Sequence, residues 1–534
     1  MNVRDDEVPH ASGPPPGPGG PPRPVAVIDM GASAIRLVIA EPGPGGSYRV
    51  IEEASRGVLL GKDTFTHGRI TASTMEATLR ALEGFRRLMD GCGVERYRAV
   101  ATSAVREASN CDNFLDRVRL RSRIEVEVID GSEENRLTYM AVRDVLGDHE
   151  MLKLGTAVLV EVGGGSADIS FLRDGEPVFS GAYALGSIRL RAGLAAWHGA
   201  QDKRLRLLRR TIHNVVEDIK REMPLKDATH FIALGGDARF AASRLIGDEE
   251  DGGHVRFVKE PEFIAFCDEV AALDVDELVE TYRLPPNDAE TLVPALLTYR
   301  DLLLATSAEE VAVPEASLRI GLLLDIVRGE EAGRLEDLGR QVLASAAALG
   351  EKYVYDAAHG RSVSRLACRL FDELAGEHGL GLRDRLLLAV AALLHDVGIH
   401  INRRAHHKHS HYVLSASDIF GLSGEDMTVV ANVARYHRRG LPQKSHIPYM
   451  ALDRETRVRV NKLAAILRLA NALDADHLQK IRDVRLVRVG DEWALEVDGA
   501  GDLTMERLAA QARSDLFTEV FGQKLSFREG PPKP

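Results

Sequence analysis

The chain has 534 residues, too many for one hydrophobic core, so several domains are expected. Its 45% apolar and 28% charged content is that of an ordinary globular protein, and no apolar run approaches the ~18 residues of a membrane span. A net charge of −12 argues against general nucleic-acid binding, and four scattered cysteines (Cys92, Cys111, Cys267, Cys368) without metal-like pairing read as reduced core thiols of a cytoplasmic protein.

Residues 1–24 are rich in Pro and Gly and lack an apolar segment, which predicts a disordered tail and no secretory leader. VIDMGASAIRLVI (Val27 to Ile39) then reads as strand, tight turn, strand, with Asp29 two residues before Gly31. Successive N–H groups can point into such a turn, and small residues let a phosphate approach them. STMEATLRALEGFRRLMDG predicts an amphipathic helix with Met75, Leu79, Leu82, Phe85 and Leu88 facing inward. YRAVATSAVREASN predicts a strand leading into a helix start. It carries Arg106, able to make charge-assisted bonds to a phosphoryl group, although a lone arginine is more often a surface residue. RIEVEVIDGSEENRLTYMAV predicts a strand, a Gly turn and a helix opening on Glu133 and Glu134, which at the least complement the helix dipole.

The acid-x-Gly layout returns in LVEVGGGSADISFL (Leu159 to Leu172), with Glu161 and Gly163 in the places of Asp29 and Gly31. Two copies predict two similar half-domains, 25–148 and 149–330, each offering one phosphate loop. Further on, a long helix near Arg204 to Met223 and FIALGGDAR, a buried strand ending in a third Gly pair, complete α/β units around mixed sheets.

Residues 331–482 are expected to be helical, with periodic segments at Val342 to Ala358, Ser362 to Leu374, Asp384 to Val397 and Val458 to Leu473. His395 and Asp396 close one of these helices, His359 begins another, and Asp474 follows the apolar face of a third, four residues on from Ala470. Imidazole and carboxylate on converging helices suit a divalent transition metal; the plainer alternative is a hydrogen-bonded cluster. Two basic clusters stand out in this acidic chain: Arg403, Arg404, His406, His407, Lys408 and His409, then Arg435, His437, Arg438, Arg439 and Lys444. They read either as a solvated face or as a track for a polyanion. From 483 to 534 the alternation of VRLVRV and WALEVDG, with a helix ending near Phe521, predicts a small α/β cap.

In their order VIDMGASAIRL, ATSAVREASN, VIDGSEENRL, LVEVGGGSAD, ALGSIRLR, ALGGDAR and SLRIGLLLD, joined by ALLHDVGIHINRRAHHKHSHYVL, ANVARYHRRGLP and KLAAILRLANALDADH, make the chain recognisable. It resembles the exopolyphosphatase and guanosine pentaphosphatase (Ppx/GppA) family over nearly all of Val25 to Phe527, in the long form with an HD-type helical domain. The resemblance implies an α/β actin-like (ASKHA, RNase H-like) two-domain phosphatase core, an all-α HD-type domain and the small cap. It implies attack of water on a terminal phosphoryl group of inorganic polyphosphate or guanosine pentaphosphate, with Mg2+ or Mn2+ in the cleft. Glu134 matches the catalytic base, and Glu161 and Asp168 the acids that hold the metal or assist the water. Asp29, Gly31, Ser33, Arg106, Gly163, Gly164, Gly165 and Ser166 match phosphate-contacting positions. A homodimer is expected, with no nucleic-acid or membrane partner.

Two departures from the family pattern matter. The first loop has Ala32 and Ala34 where the pattern has serines, with Ser33 between them. The second loop has Glu161, Asp168 and Ala167 where the pattern has Asp, Glu and Thr. Small misplacements at a reacting centre are costly in rate. A weakly active sensor of polyphosphate or guanosine nucleotides is therefore a competing reading, as is an HD-type nucleotide phosphohydrolase using His359, His395, Asp396 and Asp474.

Overall fold

The structure, a computed structural model, describes residues 23–147, 149–153, 155–195, 201–247, 254–329, 332–438, 440–490 and 492–530. The tail expected at 1–24 lies almost wholly outside the described residues. The chain forms two compact units: Met1–Ile169 with Ala182–Glu330, and Ser170–Gly181 with Glu331–Pro534.

Two sheets organise the first half of the chain. One contains β1 (Val25–Met30), β2 (Ala34–Pro42), β3 (Tyr48–Gly57), β4 (Arg96–Ala101) and β5 (Glu127–Val128), in the order β3-β2-β1-β4-β5. The other contains β6 (Thr156–Val162), β7 (Ala167–Arg173), β8 (Glu176–Tyr183), β9 (His230–Leu234), β10 (Val255–Lys259) and β11 (Glu310–Pro314), in the order β10-β11-β9-β6-β7-β8. Read from β3 and from β8, the two orders coincide through five strands. β1 runs antiparallel to β2 and parallel to β4, while β6 runs parallel to β9. The sequence repeat is therefore a repeat of topology.

Its hinge points are the two acid-x-Gly turns. Gly31 N–H donates to the Ala34 carbonyl at 3.1 Å, and Gly163 N–H to the Ser166 carbonyl at 2.9 Å. The same bond closes both turns. β1 is buried from end to end, as expected of a central strand covered on both faces. Its one carboxylate, Asp29, is thereby carried to the lip of the sheet with little solvent around it.

The Ala72–Gly91 helix buries Met75, Leu79, Leu82 and Phe85 as expected, but the last inward residue is Met89; Leu88 is 37% exposed. A step of seven from Leu82 keeps to the buried stripe, whereas a step of six turns away from it. The helix Gly131–Leu146 starts on Asp130, whose carboxylate accepts from Glu133 N–H at 3.0 Å. That cap fixes the phase at which Glu133 and Glu134 leave the first turn. Arg98 and Arg136 then hold Glu133 at 3.0 and 2.6 Å, and both reach Asp325 on the helix Leu318–Arg328, at 2.8 and 3.1 Å.

In the second unit, Ala332–Lys352, Ala357–Glu373, Leu382–Leu394, His406–Ser415, Gly424–Arg435 and Arg454–Ala472 form a helical assembly. Its core includes Val342, Leu366, Leu387, Val430, Leu463 and Leu467. The single helix expected over Val342 to Ala358 is in fact two: the first stops at Lys352, Val354 takes φ 52°, and Asp356 caps the next by accepting from His359 N–H at 3.1 Å. The terminal sheet β12 (Ile481–Val489), β13 (Glu492–Gly499) and β14 (Lys524–Glu529) has β13 at its centre; helices Thr504–Arg513 and Asp515–Phe521 connect β13 to β14. Among the described residues no helix is long and apolar enough to cross a membrane. All four cysteines are free, but only Cys267 is fully buried; Cys92, Cys111 and Cys368 are half-buried.

Gly321 explains how closely the helices Leu318–Arg328 and Gly131–Leu146 approach, since a Cβ there would overlap the Leu137 carbonyl. Gly321→Ala is predicted to destabilise the protein by about 1–3 kcal/mol, the usual cost of overpacking against backbone. Urea unfolding of the variant against the parent measures it.

Candidate functional site

The first candidate site lies where the two turns face each other. A Cβ at Gly164 would sit 2.8 Å from that of Ala32, and one at Gly165 would overlap the Ser103 hydroxyl. Glycine at these positions is what allows the loops to close on one another. The carbonyl of Gly163 accepts from Ser187 N–H at 2.9 Å, and that of Gly164 from Ile188 and Arg189 N–H at 3.0 Å. With their carbonyls turned to the helix Ser187–Ala195, Gly164 and Gly165 keep N–H groups that have no hydrogen-bond partner among the described residues. On the first loop Ala32 and Ser33 offer their carbonyls to Gly61, Val58 and Leu59 in the same way. Arg189 clamps the back of the second loop, donating from Nε to the Gly165 carbonyl at 2.6 Å.

Four acids converge on these loops, Asp29, Glu134 and Asp168 buried and Glu161 half-buried. Asp29 is pushed up by burial, against Arg36 and Arg319, whose guanidinium groups stand 4.0 and 3.9 Å away. Burial also raises Glu161, eased by a 3.0 Å hydrogen bond from Thr138 Oγ1. Burial and then the Glu161 charge push Asp168 up to about 7; Ser166 Oγ donates to its Oδ2 at 3.1 Å, while its Oδ1 is buried with no hydrogen-bond partner. Burial and then Asp168 raise Glu134 well above the usual carboxylate range, with Arg106 Nη1 at 2.9 Å from Oε1 pulling the other way. Its neighbour Glu133 differs: despite burial, Arg136 and Arg98 hold it below the ordinary glutamate value. Adjacent glutamates thus take opposite roles, one neutralised in an ion-pair network, the other left with a high proton affinity beside the loops.

A second cluster lies within the helical unit. His359 Nδ1 is 2.8 Å from Asp474 Oδ2, and Asp474 also accepts from Gln479 N–H at 2.7 Å. His395 ends the helix Leu382–Leu394, with Nδ1 donating to the Ala392 carbonyl at 2.7 Å, and burial pushes it down to about 3. Gly398 then lets the turn press onto the next helix, since a Cβ there would overlap the His406 carbonyl and Ser410 N. That contact carries His406 to Asp396, their atoms 3.1 Å apart; His437 Nε2 reaches the same oxygen at 3.3 Å. The ligand atoms of His359, His395 and Asp396 form one compact group, and those of Asp396, His406 and His437 another.

A model of the Ppx/GppA phosphatase family matches residues 38–330, and a model of Ppx/GppA phosphatase, domain III, matches 342–516. The chain belongs to the Ppx/GppA phosphatase family. It is 23% identical over 488 residues to the guanosine-5'-triphosphate,3'-diphosphate pyrophosphatase of Vibrio parahaemolyticus, covering 89% of this chain and 91% of the relative. To exopolyphosphatase 1 of Mycobacterium leprae it is 26% identical over 318 residues, 58% of this chain and 91% of the relative. An exopolyphosphatase from Cytophaga hutchinsonii matches with a TM-score of 0.53 at 23% identity, covering 58% of this chain and 99% of that one, which shows a shared fold. The core of this Ppx/GppA chain is accordingly the actin-like pair of α/β domains with mixed sheets.

Several sequence expectations are relocated by the structure. Asp474 does not join either group of converging ligand atoms among the described residues; it stands behind His359, holding the far ring nitrogen. His406 is not part of an exposed basic run. It is buried with its Nε2 3.0 Å from that of His437. His407 is half-buried, and burial with nearby His437 lowers it to about 4, so it carries no charge near neutrality. Arg403, Arg404, Lys408 and Arg438 are exposed, and Arg439 lies outside the described residues. Sequence reasoning missed Arg319 and Arg239, which both act on Glu161, although ALGGDAR and SLRIGLLLD contain them. A glycine pair at a strand end followed by arginine was the available signal.

The raised acids have a consequence for stability. Asp168 titrates near 7 in the fold and near 3.8 when free, so the folded state holds the proton more tightly. Its contribution to stability therefore falls as pH rises from ~4 to ~7 and stays low above that. Melting of metal-free protein at pH 5 and pH 8 is predicted to be less pH-dependent in Asp168→Asn than in the parent.

Proposed function

We propose that this chain is a phosphoanhydride hydrolase that releases terminal orthophosphate from inorganic polyphosphate, guanosine pentaphosphate or both. The observation that carries the reading is the set of buried Glu134 and Asp168 with half-buried Glu161 facing two loops with free N–H groups, with Arg106 beside Glu134. The names of the relatives, a guanosine pentaphosphate-type pyrophosphatase and an exopolyphosphatase, point to the same substrates.

In this reading Gly31 and Gly163 close the turns, and the N–H groups that follow them, around Ser33 and from Gly164 to Ser166, hold anionic oxygens of the chain end. Arg106 pairs with the terminal phosphoryl group. Glu134 takes the proton of the attacking water; the P–O anhydride bond breaks, and the shortened chain leaves with the bridging oxygen. Phosphatases of the family are generally divalent-metal dependent. The hard oxygen donors of Glu161 and Asp168, with Asp168 Oδ1 buried and unpartnered, fit Mg2+ or Mn2+, which when bound offsets phosphoryl charge. We place the two actin-like domains at 25–148 and 149–330, read 331–482 as an HD-type domain and 483–534 as its cap, and take the enzyme to work in the cytoplasm. A divalent transition metal on His359, His395 and Asp396 is a second centre in this reading, favoured by the unpartnered buried Nε2 atoms of both histidines.

Glu134→Gln keeps size and hydrogen bonding but removes the base, so phosphate release from polyphosphate or guanosine pentaphosphate should fall ~10²–10⁴-fold with the melting temperature kept. Glu133→Gln should do the reverse: turnover within a few-fold of the parent and a lower melting temperature, because Arg98 and Arg136 lose a partner. Equal turnover of Glu134→Gln and parent would remove the cleft as the reaction centre.

The exposed Arg403, Arg404, Lys408 and Arg438 remain a proposed polyanion track. Replacing Arg403 and Arg404 by Gln should raise KM for long polyphosphate more than for short substrate, and the difference should shrink in high salt. An equal change for both lengths counts against a track.

A further inference from the structure

We propose that the first half-domain carries a second anion site away from the cleft: a groove lined by Arg56, Arg80 and Arg87 that takes an anion of several linked phosphoryl groups. The proposal does not rest on the chemistry assigned to the cleft.

The helix Ala72–Gly91 has two charged flanks, and they are answered differently. On one, Arg121 of the helix Cys111–Ser122 reaches Glu83 at 2.8 Å and Glu76 at 3.8 Å, and Arg86 Nε donates to Asp90 Oδ1 at 2.9 Å. Glu76 and Glu83 stand one turn before Arg80 and Arg87, where pairs within the helix would ordinarily form. Arg121 draws both acids to the other side. Arg80 and Arg87 are left exposed, with no hydrogen bond or ion pair among the described residues. Exposed Arg56 on β3 joins them, spending one N–H on the Ser55 carbonyl at 2.8 Å.

These three guanidinium groups line a groove of about 380 Å³ together with Ala81, Gly84, Phe85 and Leu88, and no carboxylate lines it. The neighbouring groove on the paired flank, of about 440 Å³, includes Glu83 and Asp90 among its walls. Gly84 makes the difference in shape. It lies inside the helix, where glycine is the poorest choice short of proline, and packing does not require it: a Cβ there would meet only Arg87 Nη2, at 3.9 Å. Its effect is to leave space between Arg80, one turn before it, and Arg87, one turn after. Leu88, 37% exposed although the stripe of the helix turns inward at Met89, supplies apolar wall to the same space.

The form of the groove selects its ligand. Two helical turns separate Arg80 from Arg87, a rise of ~10.5 Å, so positive charge is laid out along a line and a single small anion would engage one end only. Guanidinium forks match the paired oxygens of phosphoryl groups, and a chain of such groups repeats its charge along its length. The groove is also distinct from the cleft. Arg56 stands opposite Ile35 in the β2–β3 register and so shares its face of the sheet, and Ile35 packs in the core with Met75, Leu79 and Phe85 of the helix. Arg36, the next residue along β2, turns to the other face, where it meets Asp29.

The test uses the full-length protein and phosphate chains that resist hydrolysis. Imidotriphosphate, an inorganic chain with NH in its bridging positions, is titrated calorimetrically into wild type, into the double variant Arg80→Gln/Arg87→Gln and into Gly84→Met. Wild type is expected to bind one equivalent more than either variant, and that equivalent should weaken as salt is raised. Gly84→Met keeps every charge, fills the groove and replaces glycine with a better helix former, so its melting temperature should hold or rise. Equal stoichiometry in all three proteins overturns the site and makes the arginines a solvated face. Loss in the arginine variant but not in Gly84→Met overturns it as well, because the attraction is then diffuse surface charge and not a groove. A parallel titration with β,γ-imido-GTP identifies the source of the phosphates: tighter binding of the nucleotide in the extra equivalent assigns the groove to nucleotide phosphates, tighter binding of imidotriphosphate to inorganic chains, and either upholds the site. Phosphate release at saturating polyphosphate is expected to be unchanged in both variants; its collapse in both would show that the groove belongs to the cleft and overturn a separate site.

Discussion

The first unit is organised around buried negative charge that is not fully matched. Asp29, Glu161, Asp168 and Glu134 crowd the lips of two sheets, and the nearest guanidinium groups to Asp29 stand at 3.9 and 4.0 Å, too far for tight pairs. At an effective dielectric near 20, two like charges ~4 Å apart repel by about 4 kcal/mol, so the set cannot all be ionised without help. The fold accepts this because the strands that deliver Asp29 and Glu161 are buried for other reasons. β1 and β6 are central, apolar strands, and one polar residue at the end of each is carried along. A site with stored proton affinity and free N–H groups is what an anionic substrate accompanied by a divalent cation would relieve.

Around that constraint, neighbouring residues are sorted by geometry more than by type. Glu133 and Glu134 have the same side chain on the same helix turn, yet one faces Arg98, Arg136 and Asp325 and the other faces Arg106 and Asp168. Asp130 decides the difference, since its cap sets the rotation of the helix at its first turn. The helical unit uses the same device with imidazoles. Carbonyls at the ends of two helices orient His395 and His437. Arg468, fully buried, donates from Nη1 to the carbonyls of Tyr436, Arg438 and Gly440, which pins the segment that carries His437.

Much of this was legible in the sequence, for a physical reason. A turn that must hold phosphate needs small residues at fixed offsets from an acid, and that pattern appears twice in a linear reading. The shared strand order and the matching turn bonds are its three-dimensional form. What was not legible depends on burial. His406 and His437 sit among arginines and lysines, and a window of sequence reports their charge class and not that they point inward. Asp474 is a candidate ligand by residue type and place, but whether it turns to a metal or to His359 is decided by rotamer and neighbours. Arg319 and Arg239 converge with Asp29 and Glu161 from distant stretches of chain, and a glycine pair before Arg239 marks a turn without saying which acids that turn will meet. The exchange of Leu88 for Met89 is a drift of phase near a helix end, where a stripe drawn on a short window is least certain.

The loops also explain why changed side chains in the first turn need not remove its function. The Ala32 methyl lies where Gly61 and Gly164 close in, with a Cβ at either glycine only 2.7 or 2.8 Å away. In so tight a space a serine hydroxyl would be forced to find a partner or stay unsatisfied, a cost of about 1–3 kcal/mol. Alanine avoids that cost, while the N–H groups that meet a phosphate belong to the backbone and do not depend on the side chain. The hydroxyl near the second loop comes from elsewhere: Ser103 lies against Gly165, at the start of the short helix that ends in Arg106. One structural element thus brings a hydroxyl and a guanidinium to the junction of both turns. In the proposed reading recognition is carried by main chain, glycine and this element together, so the loss of two serines from the first loop leaves the backbone geometry that this reading relies on unchanged.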